Sequence, residues 1–433
     1  MANGSSPQRL SLATLDPRTL FPTPENISRV TQLQQQVQLQ LDEDRARSKQ
    51  APDDTQARNK RSESLQYLAL LNDWISQART VTQQQQQQSR PRLSGGGRPP
   101  LSASHGVVME PAEEGDFRVQ ASPQHPAAIH RCLWDKARNL HYVQVKKLRD
   151  TIYGSVRLYQ IGRLSEDGII RFSQPAEQVA IKMYDKESVR KRKSRDGHSV
   201  QEDPLRELAI QQRLSNPGHR FVMPLLATLE TPNRFFAVYP FVSGGELFEF
   251  VSTNAPLPEP TARALMRGML DGVHYCHQAG ICHRDISLEN FLLGGDNNNE
   301  PLLIDFGLSV IMEPDGVSGW RPIAHTGAVG KQFYMAPEVY SNTGQAYDGI
   351  KVDVWSLGVC LAIMLTGVPL WECPSSVDDR FRASIIRREL PRVLSIWGFH
   401  ISPAALSLLQ RMLELDPNLR PSITEVAQHE WLR

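Results

Sequence analysis

Apolar side chains recur in ordered periods from about residue 138 onward, and the period changes from segment to segment. Tyr142–Leu148 and Ser155–Tyr159 alternate as two strands joined by a turn over Arg149–Gly154. A third strand ends in Val179-Ala180-Ile181-Lys182, and the helical stretch that follows it, Leu205–Leu214, carries Glu207. Phe235–Phe241 reads as a buried strand running into the glycine turn Val242-Ser243-Gly244-Gly245-Glu246, with Glu246 opening the next helix. Leu265, Met269, Val273 and Cys276 share one face of a helix from about Pro260 to Gln278. Leu302-Leu303-Ile304 is an apolar strand that ends at Asp305, and Asp353–Gly358 starts an apolar helix.

Residues 1 to about 135 have another character. Gln dominates 32–40 and forms the run Gln83–Gln88, while Ser, Gly, Pro and Arg fill 89–104. Such stretches bury too little apolar surface to offset ordering entropy, which predicts a largely disordered extension. Two amphipathic stripes stand out within it: Val30, Leu33, Val37 and Leu41, and then Leu68, Leu71, Ile75 and Ala78. Each spans only a few turns and would need a partner to be stable. Two readings stay open: a helical hairpin for dimerisation or a regulatory partner, and transient helices flanking a polyglutamine tract.

Charge and cysteine content narrow the function classes. The 48 basic and 47 acidic side chains nearly cancel, so no global field draws the chain to nucleic acid or an anionic membrane. The five cysteines form no metal-ligand pair or disulfide framework, as expected of reduced thiols in a cytoplasmic or nuclear protein. No apolar run is expected to span a bilayer. The run Arg190-Lys191-Arg192-Lys193-Ser194-Arg195 reads either as a solvated loop or as a nuclear-import or acidic-partner site.

The chemistry gathers around His283–Asn290. An acid at 285 and an amide at 290 have the spacing of a phosphoryl-transfer site, with Asp285 able to take a hydroxyl proton and Asn290 to hold a metal ion. Asp305, at the end of its strand beside a flexible glycine, adds a second hard oxygen ligand of the kind Mg²⁺ takes. Lys182 can point its ammonium at bound phosphates, with Glu207 as its partner. An ordinary surface salt bridge is the competing reading. The strand-to-glycine hinge suits a flat purine: Pro240 can offer only a carbonyl, Val242 offers both amide and carbonyl, and Glu246 lies within reach of a ribose hydroxyl.

In order, Val179–Lys182, His283–Asn290, Asp305-Phe306-Gly307 and Ala336-Pro337-Glu338 resemble the ordered motifs of protein kinases. In detail the segment 140–433 is similar to serine/threonine kinases of the calmodulin-dependent and SNF1-like group. The resemblance rests on Ser243–Val251, the Glu289-Asn290 ending and the closing Leu415–Leu432. It implies an α+β bilobal fold with a β-rich first lobe, a helical second lobe and use of Mg²⁺ and ATP. It also implies roles: Asp285 as base, Arg284 as partner for an activation-loop phosphate, Asn290 and Asp305 on Mg²⁺, and Lys182 with Glu207 on the phosphates. Gly154 would belong to the glycine-rich loop, Leu148, Val156, Ala180 and Leu292 would sandwich adenine, and Tyr239 would be the gatekeeper. Glu338 with Arg420, and Asp353 with the catalytic loop, would be structural pairs. Protein substrates are implied, and Glu246 and Glu289 would read basic residues upstream of the target.

Five positions depart from that pattern. Arg149 and Thr151 replace the first two loop glycines, which should weaken nucleotide binding. Ser287 stands where a lysine is usual, Lys331 where a threonine is usual, and Gln211 where an apolar residue is usual. Lys331 could fill the space left by Ser287, or lie in solvent. Thr326 and, behind it, Ser318 are the candidate activating phosphosites. The alternative to an active kinase is a pseudokinase scaffold that binds nucleotide weakly and signals through its N-terminal helices.

Overall fold

A computed structural model of the chain describes residues 106–122, 124–192, 201–295, 299–316, 319–324, 327–341 and 343–433. Both amphipathic stripes, the polyglutamine run, residues 193–195 of the basic run, Ser318 and Thr326 lie outside the described residues.

The first part is one eight-stranded sheet: β1 (Glu110–Gln120), β2 (Ala128–Asp135), β3 (Leu140–Thr151), β4 (Gly154–Leu164), β5 (Ile169–Phe172), β6 (Gln178–Asp185), β7 (Ala227–Glu230) and β8 (Arg234–Pro240). Pairing runs from β1 through β2, β3, β4, β6, β8 and β7 and returns to β1, so the sheet closes on itself. Closure removes free edges and encloses a core that includes Leu133, Tyr142, Val179, Ile181, Leu229, Phe236 and Val238.

The first two strands fall inside the segment that composition assigned to the extension, so the sheet begins ahead of the expected boundary at 135. The cause lies in the pattern of β1, where only Ala112 and Val119 are fully buried among charged neighbours. A strand that contributes so few apolar residues leaves a faint periodic trace, and pairing with β2 supplies the rest of its stability.

Two helices follow β6: α1 (Lys186–Lys191) and α2 (Pro204–Leu214). Asp203 caps α2 by accepting from the Arg206 amide at 3.2 Å, and Pro204 occupies the first turn, where its missing N–H costs nothing. The backbone of Val108 clips onto the far side of α2. Its N–H donates to Gln212 Oε1 at 3.1 Å, and its carbonyl accepts from Gln212 Nε2 and Thr228 Oγ1 at 2.6 and 2.7 Å. Val107 is buried in the same cluster as Leu205 and Leu208. The segment ahead of the sheet thus steadies the helix that carries Glu207.

The second part is helical. After α3 (Leu247–Asn254) come α4 (Glu259–Gln278), α5 (Gly349–Thr366) and α6 (Pro403–Met412) around a large core that contains Trp355, Trp371 and Phe381. Asp348 caps α5 and Gly367, at φ 79°, ends it. This helix is long and apolar enough to cross a bilayer, contrary to the expectation that no run would be. Its residues are nearly all buried, as befits the centre of a lobe. Glu338 and Arg420 meet as expected, in a two-pronged pair at 2.7 and 3.1 Å.

Candidate active site

Between the two parts lies a cavity of about 510 Å³. Strand pairing explains which residues reach it. Opposite each other in the sheet are Val156 with Lys182 and Ala180 with Tyr239, so β4, β6 and β8 turn these side chains toward one cleft. Leu148, Val156, Ala180 and Leu292 line its apolar walls, and Tyr239, Pro240, Val242 and Glu246 line the hinge side. Lys182, Glu207 and Asp305 close the polar end. Met223 and Ile304 also line it, and no periodicity links them to the cleft.

Gly154 is the exception. It is not among the lining residues, and a Cβ there would collide with the Met183 carbonyl across the sheet. Strand packing by itself therefore demands glycine at this position.

Lys182 Nζ lies 2.7 Å from Glu207 Oε1 and 3.6 Å from Asp305 Oδ1. Burial pulls the ammonium pKa down, but the Asp305 and Glu207 carboxylates outweigh it and hold the lysine charged. The same ammonium holds the Asp305 carboxyl below its ordinary range, against burial. A pair this enclosed, with Glu207 2% exposed, is not the surface salt bridge that the residues alone allowed.

The catalytic loop is held from below. Asp353, on α5, accepts from the backbone N–H groups of His283 and Arg284 at 2.9 Å each, and His277 bonds to it at 2.9 Å. Burial pushes the Asp353 carboxyl up, yet these donors hold it below its usual value. The grip supports a strained backbone at Arg284, which sits in the left-handed region at φ 68°, as Asp305 does at φ 65°. One turn of helix over Leu288–Asn290 then returns Asn290 toward Asp285. Asn290 Nδ2 donates to the Asp285 carbonyl at 2.7 Å and to its Oδ2 at 2.8 Å. Burial raises the Asp285 carboxyl, with Lys331 and His283 working in the opposite direction.

The remaining departures find partners. Tyr239 donates its hydroxyl to Gln211 Oε1, so the buried amide at 211 is satisfied by the gatekeeper itself. Arg149 reaches across the cavity mouth to Glu246, 3.2 Å away. Lys331 Nζ donates to Ser287 Oγ at 2.6 Å. Arg284 lines a second cavity, of about 690 Å³, together with Arg192, Arg206 and Arg321. Sequence reasoning missed Glu202, which precedes α2 and packs its side chain against Gly307. Its carboxyl is pushed up to about 7, chiefly by burial.

A two-lobed molecule with a nucleotide-sized cleft and an acid–amide pair beneath it has the anatomy of a phosphotransferase. Residues 169–432 match the family described as "Protein kinase domain", and this chain belongs to that family. The match begins beyond β4, so Leu148, Gly154 and Val156 lie outside it. CBL-interacting protein kinase 31 of Oryza sativa is 33% identical over 281 residues, covering 64% of this chain and 57% of that protein. CBL-interacting serine/threonine-protein kinase 16 of Arabidopsis thaliana is 33% identical over 287 residues, covering 64% and 56%. The human hormonally up-regulated neu tumor-associated kinase is 32% identical over 341 residues, covering 77% and 45%. The chain spans about half the length of the curated relatives it matches.

Proposed function

We propose that the chain transfers the γ-phosphoryl group of ATP to serine or threonine hydroxyls of protein substrates. The observation that carries this reading is that Lys182 is paired with Glu207 and lies beside Asp305, while Asn290 is bonded to Asp285. The positioning groups therefore stand assembled, an arrangement a degenerate scaffold has no need to keep. Asp285 takes the hydroxyl proton, and Lys182, fixed by Glu207, holds the α- and β-phosphates.

Asp305 and Asn290 fit Mg²⁺. Among the described residues no group of three or more His, Cys, Asp or Glu could hold a metal by itself. Mg²⁺ in such sites takes one or two protein oxygens and completes its shell with phosphate and water. When bound, it neutralises the phosphates, and these two side chains set where it sits.

Two finer points qualify the substrate reading. Glu246 and Glu289 would read basic residues on a substrate, but Glu246 is already paired with Arg149, so a substrate arginine has to displace that side chain. Arg284, with Arg192 and Arg206 lining the same cavity, would receive a phosphate on Thr326.

The test is incorporation of label from ATP into a generic basic protein, with Asp305→Asn as the blank. Incorporation above the blank supports the reading. None above it, even after Thr326 is phosphorylated, makes the scaffold reading the better one.

A further inference from the structure

Ser287 leaves the catalytic loop without the cation that phosphoryl transfer ordinarily draws from that position, and among the described residues Lys331 brings an ammonium to Ser287. Ser287 is fully buried, and its side chain is several atoms shorter than the lysine usual at that position. Toward it Lys331 extends from the segment that follows Asp305-Phe306-Gly307. Its Nζ lies 2.6 Å from Ser287 Oγ, 3.8 Å from Asp285 Oδ2 and 3.9 Å from Glu289 Oε2.

The approach is built into the backbone. Gly330, at φ 93°, precedes the lysine, and a Cβ there would stand 2.9 Å from the Arg284 carbonyl and 3.3 Å from Asp285 Oδ1. Only glycine lets the two segments touch, and that contact sets Lys331 beside the catalytic loop. The lysine side chain is 36% exposed, so it is neither sealed in the core nor free in solvent.

We infer that Lys331 is a catalytic residue, supplying from the activation segment the ammonium that neutralises the transferring phosphoryl group. The inference rests on the kinase reading above. A hydroxyl bonded to Asp285 stands within about 3 Å of its carboxylate, so the phosphorus it attacks falls within reach of the lysine stem. In the step, the hydroxyl proton passes to Asp285 while its oxygen forms the new bond to phosphorus. The bond from phosphorus to the β,γ-bridging oxygen breaks, and ADP leaves with that electron pair. Lys331 takes no part in the proton transfer, and its charge matters most as negative charge spreads over the phosphoryl oxygens. The hydrogen bond to Ser287 and the neighbouring Glu289 keep the ammonium aimed.

The full chain carrying Lys331→Met keeps the stem and removes the charge. Its kcat should fall by about 10²-fold, the usual loss for one preorganised donor to a transition state. Affinity for Mg·ADP should stay within about twofold, while affinity for Mg·ADP with aluminium fluoride, a mimic of the phosphoryl in flight, should fall as far as kcat. The exchange Ser287→Lys with Lys331→Thr moves the charge to the loop and should recover the rate to within about tenfold of the parent. A Lys331→Met protein with the parent rate overturns the inference, and so does one that loses both nucleotide complexes by equal factors. If Lys331→Met folds poorly, the exchange decides: recovery supports the idea and a rate still down by about 10²-fold sinks it. The parent chain is assayed alongside, so failure of the kinase reading shows separately, as no transfer by the parent.

Discussion

The bond between Gln211 and Tyr239 offers a measurement in which the family pattern and this structure give opposite answers. An apolar residue at 211 is usual, so Gln211→Leu looks like a repair. Here the Tyr239 hydroxyl donates to the Gln211 amide oxygen, and the two side chains are only 9% and 2% exposed. Leucine would leave that hydroxyl buried without its acceptor, a loss of about 1–3 kcal/mol, offset by about 1 kcal/mol for the apolar surface gained. The single variant should therefore be less stable by about 1 kcal/mol, the midpoint of what remains. Adding Tyr239→Phe removes the stranded hydroxyl and should return the protein to within about 0.5 kcal/mol of its parent, giving a coupling energy of about 1–2 kcal/mol. Urea unfolding of the parent, both singles and the double closes the cycle, with unchanged m-values as the check that unfolding stays comparable. Because Tyr239 lines the nucleotide cavity, the KM for ATP gives a second readout. A Gln211→Leu protein as stable as the parent, or additive singles, would show that the pair is not coupled and the reasoning is wrong.

Two further outcomes follow from buried charge. Glu338→Ala strands the Arg420 guanidinium, which is 0% exposed, accepted also by the carbonyls of Lys351 and Glu414, and stacked over Trp355. Stability should fall by about 3–5 kcal/mol, and pairing Glu338→Leu with Arg420→Met should regain most of it; a loss below about 1 kcal/mol in urea would mean the arginine finds water instead. Glu202 titrates near neutrality in the folded chain, its carboxyl raised from 4.5 to about 7 mainly by burial. A raised carboxyl favours the protonated fold, so its contribution is complete below about 4.5 and disappears as pH climbs through about 7. Relative to Glu202→Gln, the parent should lose about 3 kcal/mol between about pH 4.5 and pH 8, read from urea midpoints, and a gap that stays flat across that window refutes the assignment.

Much of the site was legible because phosphoryl transfer restricts residue type at fixed spacing. The roles proposed for Asp285, Asn290 and Asp305 call for hard oxygens, and that of Lys182 for a strand to present it, so short strings of residues already suggest the chemistry. Strong periods likewise located the long helix over 259–278 and the strand over 234–240. Local order of this kind is written in neighbouring residues, and a single chain suffices to read it.

What the tertiary structure decided concerns groups far apart in sequence. The strand over 110–120 buries too little to announce itself, and only its pairing with 128–135 reveals it. At Gly154 only the strand across the sheet shows what the missing Cβ avoids. Arg149 with Glu246, and Gln211 with Tyr239, are 97 and 28 residues apart, and no local pattern encodes such a meeting. Ser287 and Lys331 make the same point across 44 residues. The sequence marked each as an oddity, but whether a lysine lies in solvent or beside the Asp285 carboxylate depends on how two segments pack. Contact at Gly330 supplies that packing.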